Sequence, residues 1–236
     1  MYKQYSLLVS LIILLPGCAK NIRMSTTAYA DKQAIPSGFA RNKSFSVEGS
    51  LRVNDSKREN ELQTKEVAQK LSIALQDKGY SIEQPENADY NIVFNYGYDK
   101  ETVTNNVLTY IPQESSKTFE YTQECDGDAQ YNEKTHSSGI WAHVPVESTY
   151  YRKFLNLYVH EARPNRKNKQ PKVWECKIRN CDEDFDIRSY TDFFIVESMK
   201  WFGSNTQGTY STSMSSKDKV VTALRTQYND GCYSTC

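Results

Sequence analysis

Histidine, glycine and long apolar runs are scarce in this sequence, and no charge is in surplus. Of 236 residues, three are histidine and ten are glycine, and 29 basic residues face 29 acidic ones. Phosphate contacts need a basic surplus, so the balance argues against nucleic acid as a partner. The sequence holds no Gly-x-Ser-x-Gly elbow, no His-Glu-x-x-His pair and no glycine loop that would cradle a phosphate. Ser216-Lys217-Asp218-Lys219 satisfies Ser-x-x-Lys, but the Ser-Asp-Asn and Lys-Thr-Gly elements that go with it in penicillin-recognising enzymes are missing. It reads as a polar helix start. His136, His143 and His160 have no i, i+4 partner, and the cysteines make no Cys-x-x-Cys clasp. Zinc and thioredoxin-like redox chemistry are therefore not expected. The acidic runs Asp182-Glu183-Asp184 with Asp186, and Asp126 with Asp128, lack a full calcium-loop pattern and read as solvated loops. No cofactor, metal or catalytic residue is assigned.

What is present begins with an address. The apolar run from Leu7 to Gly17 is about half the roughly 20 residues that a membrane-spanning helix needs. Lys3 is the one charge before it, the short basic start of a signal peptide. Leu15-Pro16-Gly17-Cys18 resembles the lipobox of bacterial lipoproteins. That resemblance implies a signal peptide over residues 1–17, a diacylglycerol on the Cys18 sulfur and an acylated new amino end. Acyl chains anchor by burying methylenes, at about 0.8 kcal/mol each. Ala19 and Lys20 follow, with no Asp to mark inner-membrane retention, so the resemblance implies the outer membrane, facing the periplasm. Removing residues 1–17 takes away Lys3 alone among the charges. No later run is apolar enough to span a bilayer.

With Cys18 assigned to lipid, Cys125, Cys176, Cys181, Cys232 and Cys236 remain. An oxidising compartment favours pairing, and an odd number leaves one thiol free or paired with another chain. Close spacing suggests Cys176–Cys181 and Cys232–Cys236, with Cys125 left over. A bridge from Cys125 to the C-terminal pair is the rival arrangement.

Residues 18–42 are polar, small and aperiodic, and read as a flexible tether. The domain is expected over 43–236. Phe45, Val47, Leu51 and Val53 alternate as in a half-buried strand. Val67, Leu71 and Leu75, with Ala68 and Ala74 beside them, give an amphipathic helix that Gly79 stops. Tyr90, Ile92, Phe94, Tyr96 and Tyr98 share one strand face. Residues 100–149 are less regular and read as an insertion, with one strand possible in "SKTFEYTQE". Leu155, Leu157 and Val159 share a face, as do Trp174, Cys176 and Ile178, so the two runs form an antiparallel pair with a long loop. Ser189 and Asp192 carry capping-box spacing before a helix marked by Ile195, Met199 and Phe202. Gly203 closes that helix. "SNTQGTYSTSMSS" reads as a linker. A last helix from near Ser215 carries Val221, Leu224 and Tyr228 and ends at Gly231. The order predicts an α+β fold: a mixed, mostly antiparallel sheet with helices packed on one face.

Gly79-Tyr80, Ala88-Asp89 and Val173-Trp174, with a helix carrying "MKWFG", resemble a bacterial lipoprotein family known only as a domain of unknown function, numbered forty-one thirty-six. The resemblance spans roughly residues 43–203. It departs from the family's usual "fP" ending at Phe202-Gly203, and it brings no established activity. Seventeen tyrosines are many for this length. Tyrosine suits strands, and it also suits docking surfaces because it joins apolar area to a polar tip. Tyr96, Tyr98, Tyr150 and Tyr151 are the candidates for such a face. The expected function is a non-catalytic interaction or envelope-maintenance component, held to the membrane through Cys18 and meeting an envelope protein. The alternative is an envelope enzyme, or a glycan- or lipid-binding module, acting on peptidoglycan or lipid.

Overall fold

A computed structural model describes residues 20–49, 57–112, 116–123, 129–136, 139–163 and 170–233. In chain order the elements are β1 (Asn21–Ala30), β2 (Ser44–Gly49), α1 (Lys57–Asp77), β3 (Ser81–Ile82), β4 (Tyr90–Pro112), β5 (Ser116–Gln123), β6 (Ala129–His136), β7 (Gly139–Glu161), β8 (Lys172–Asp182), α2 (Arg188–Lys200), β9 (Tyr210–Ser215) and α3 (Lys219–Tyr233). The chain divides into two compact units, Met1–Asp99 with Arg152–Cys236, and Lys100–Tyr151.

The first unit is α+β, as the alternation predicted. Its sheet has the order β3-β2-β4-β7-β8-β1-β9. β2 runs parallel to β4, with α1 as the crossover between them. β1 runs antiparallel to both β8 and β9. Every second residue points under the helices, so Leu155, Leu157 and Val159 from β7 and Trp174, Cys176 and Ile178 from β8 enter one core with Val67, Leu71 and Leu75 from α1. α2 is the central helix. Tyr190 to Met199 are all buried, because α2 meets β1 and β8 on one side and α1 and α3 on the other. Gly79 and Gly203 take the left-handed conformation at φ +86° and +75°, which only glycine adopts cheaply. Phe202, beside Gly203, joins the aromatic end of the core, with ring centroids 4.8 Å from Phe39, 5.4 Å from Phe45 and 5.1 Å from Trp174.

Four expectations are corrected here. The segment read as a tether over 18–42 contains β1, and Ile22, Met24, Thr26 and Ala28 are buried in strict alternation. Ile35 and Phe39 beyond it also belong to the core. The polar stretch read as a linker before the last helix contains β9, paired with β1 from Asn21↔Ser215 to Thr26↔Tyr210. The Ser189–Asp192 capping box does not form: Ser189 Oγ donates to the Asp186 carbonyl at 3.0 Å, and Asp192 makes ion pairs instead. Gly231 lies within α3 rather than at its end.

The second unit is not irregular. It holds the later part of β4, the earlier part of β7, and the antiparallel pair β5–β6, registered from Ser116↔His136 to Gln123↔Ala129. The strand expected in "SKTFEYTQE" is β5.

Candidate functional site

The chemistry-bearing side chains of the first unit gather in two places. The first lies where β1 begins. β7 alternation carries Lys153 onto the same buried face as Leu155 and Leu157, and its side chain is fully buried. A buried ammonium needs compensation. Lys153 Nζ pairs with Asp182 Oδ1 and sits 4.1 Å from the Tyr190 ring centroid. The Tyr190 hydroxyl donates to Asp182 Oδ2. Lys20 Nζ donates to the Tyr190 hydroxyl at 2.7 Å and pairs with Asp184 at 3.2 Å. Burial and the hydrogen bond to the Asp182 carboxylate push the Tyr190 phenol far above its ordinary range. The Asp186 backbone N–H, against the cost of burial and with help from Lys20, holds the Asp184 carboxyl below the usual carboxylate range.

The acidic run is thus more than a solvated loop. Asp182, Asp184 and Asp186 each accept the backbone N–H two residues on, at 3.1, 3.0 and 3.0 Å, a staircase of turns leading into α2. Among the described residues no group of three or more His, Cys, Asp or Glu side chains is placed to hold a metal ion.

The second cluster joins all three helices. Asp192 of α2 takes Lys70 of α1 at 2.7 Å on one oxygen and Arg225 of α3 at 2.6 Å on the other. Glu66 binds Lys70 at 2.7 Å and Arg188 at 3.1 Å. Lys70 and Asp192 are each 6% exposed in their side chains. The arrangement ties the three helices together around the buried Lys70 and Asp192.

Sequence reasoning missed Lys20, Lys70, Lys153, Tyr190 and the pairing role of Asp192. The signal was available for two of them: Lys153 continues the β7 apolar parity by one step, and Lys70 falls three residues after Val67 on the inward face of α1.

The tyrosines expected on a docking face lie in both units, Tyr96 and Tyr98 in the first and Tyr150 and Tyr151 in the second. Tyr96 packs against the core, with its ring 6.3 Å from Phe94 and its hydroxyl 3.5 Å from Thr64 Oγ1. Burial raises its phenol above the ordinary range. Tyr98 is exposed. Tyr150 and Tyr151 are consecutive in β7 and half-buried, so they point to opposite faces. Exposed apolar side chains occur in both units: Leu62, Phe185 and Val220 in the first, and several in the second. Val107, Leu108, Tyr110, Ile140 and Trp141 are all exposed, and the Tyr110 and Trp141 rings are 5.4 Å apart.

The Cys176–Cys181 bridge is also corrected. Both thiols are free, one buried and one exposed. A separation of five residues on β8 sends them to opposite faces of the strand. Burial, with Glu197 and Glu175 nearby, pushes the Cys176 thiol up and makes it inert. Cys18, Cys125 and Cys236 lie outside the described residues, as does the side chain of Cys232. His143 is exposed, and His160 Nδ1 lies 3.2 Å from the Gln170 carbonyl. Ser216 and Lys217 form the turn between β9 and α3, and Lys217 and Lys219 border a shallow groove of about 500 Å³ along α3 with Thr222, Ala223, Thr226 and Gln227.

No family model and no curated protein sequence matches the chain. Among solved structures, a PDZ domain protein from Parabacteroides distasonis is similar at a TM-score of 0.39 and 10% identity, over 84% of this chain and 39% of that one. This chain therefore spans well under half of that protein. A PelC dodecamer from Paraburkholderia phytofirmans is similar at a TM-score of 0.36 and 9% identity, over 77% of this chain and 98% of that one. Neither likeness is close enough to carry an argument.

Proposed function

We propose that the protein is a lipid-anchored lipoprotein of the bacterial envelope, akin to the forty-one thirty-six family, and that it works by binding another envelope protein. Cys18 attaches it to the outer membrane on the periplasmic side. The observation that carries the binding role is the exposed apolar surface of residues 100–151. Val107 and Leu108 are neighbours in β4, as Ile140 and Trp141 are in β7, and all four are exposed. Consecutive strand residues point to opposite faces, so both faces of each strand offer apolar groups. Single exposed apolar residues are ordinary, whereas grouped ones mark interaction surfaces, and Tyr and Trp are the side chains that most often anchor them. The polar clusters of the first unit weigh the same way, because Lys153, Asp182 and Tyr190 bind one another, as Lys70 and Asp192 do.

The test is a photo-reactive side chain at position 141 of the full chain in living cells. One envelope protein should be captured there reproducibly, should not be captured from the exposed position Glu83, and should be lost on Leu108→Ser. Capture that is the same from both positions would refute the binding role. Turnover of peptidoglycan or lipid by the purified mature protein would favour the enzymatic alternative.

A further inference from the structure

Lys20 is already fixed. Its carbonyl accepts the N–H of Ser216 at 2.9 Å, its ammonium binds Tyr190 and Asp184, and the next residue, Asn21, is paired with Ser215. Cys18 stands two residues earlier. Successive Cα atoms are about 3.8 Å apart, so the Cys18 Cα lies within about 8 Å of the Lys20 Cα. A lipid on Cys18 therefore keeps this end of the sheet close to the bilayer surface.

The same end carries two exposed apolar side chains. Phe185 follows β8 and is 65% exposed, and Val220 stands in the first turn of α3 and is 60% exposed. Each is flanked by charged groups of both signs: Lys20, Arg188, Lys217 and Lys219 against Glu183, Asp184, Asp186 and Asp218. Asp184 is paired with Lys20, and Asp186 and Asp218 accept the N–H groups of Arg188 and Val220 at the helix starts. Such a balanced rim has no net attraction for anionic lipid. Apolar side chains between long cationic ones, whose stems lie along an interface while their heads stay in water, suit the headgroup region.

We propose that the Lys20 end of the sheet is the face the domain lays against a phospholipid bilayer, with Phe185 and Val220 entering the headgroup layer. This rests on lipidation of Cys18. The domain then stands on the membrane in one orientation instead of swinging on a leash.

The experiment uses the mature lipidated chain on vesicles of phosphatidylethanolamine with phosphatidylglycerol, and again on phosphatidylcholine alone. Amide hydrogen exchange is read over residues 182–190 and 217–224, with 84–88, at the opposite end of the sheet, as the control. Exchange in the first two segments should slow about tenfold relative to the unlipidated Cys18→Ser chain in solution, equally on both vesicles, with no change at 84–88. Phe185→Ser with Val220→Ser should restore fast exchange on vesicles while matching the parent without them. Unchanged exchange at both segments, slowing at 84–88 instead, or slowing only on the anionic vesicles would overturn the proposal. The intact mass of the mature chain separates the two layers: a lipidated chain without the protection refutes this orientation alone, and a chain without lipid refutes the anchored reading as well.

Discussion

Strand β7 changes character along its length. From Lys153 to Val159 alternate residues are fully buried, whereas from Gly139 to Glu147 none is, although Ile140, Trp141 and Val146 are as apolar as anything further along. Both stretches have the composition of a strand. The difference is what covers them. In the first unit, α1, α2 and α3 close one core over the sheet, and burial follows the strand period. In the second unit the described elements are all strands, and Val107, Leu108, Ile140 and Trp141 are exposed. A period-two burial pattern therefore marks where the helix layer lies over the first unit's sheet.

The largest effect that would break this comparison lies in the helix layer. Asp192→Ala leaves the 6%-exposed Lys70 with Glu66 alone and removes the carboxylate partner of Arg225. Losing one side of a buried pair costs about 3–5 kcal/mol, read as a lowered urea midpoint of the Cys18→Ser chain. A loss within about 0.5 kcal/mol would mean that the network does not hold the helices. Next comes Phe202→Ala, which opens the aromatic end of the core and should cost about 3 kcal/mol. Acid sensitivity follows. Asp89 accepts the Ser44 backbone N–H and, despite some burial, pairs with Lys43, so its carboxyl is held below the ordinary range. The unfolded chain takes up that proton first as pH falls. The contribution is complete above about pH 4 and disappears as pH drops through the lower, folded value. Asp89→Asn should flatten the acid limb of stability against pH, by a small amount because the pair is partly exposed. Smallest is Trp141→Ser in the second unit, expected within about 0.5 kcal/mol of the parent. A large loss there would show that Trp141 supports folding instead of docking.

Legibility in the sequence divided along the same line. β7, β8 and α1 could be read because large apolar side chains fall at their inward positions. β1 could not, since its inward residues include Thr26 and Ala28, and its partners Arg179 and Ser215 stand more than 150 residues away in the chain. β9 offers only Met214 as a large buried group. The spacing of Ile195, Met199 and Phe202 identified α2, but its burial on every side is supplied by β1 and β8 with α1 and α3. The polar clusters were legible only as charged residues at apolar positions, and which carboxylate meets which lysine was decided by the packing of three helices.

The position of β1 also sets the order of assembly. It is the first described strand of the chain, yet its two neighbours in the sheet are β8 and β9, among the last segments to be made. A polypeptide made amino end first cannot close this sheet until Ser215 has been made. Pairing across such separations is slow, so the sheet closes late, after nearly all of the chain has been made.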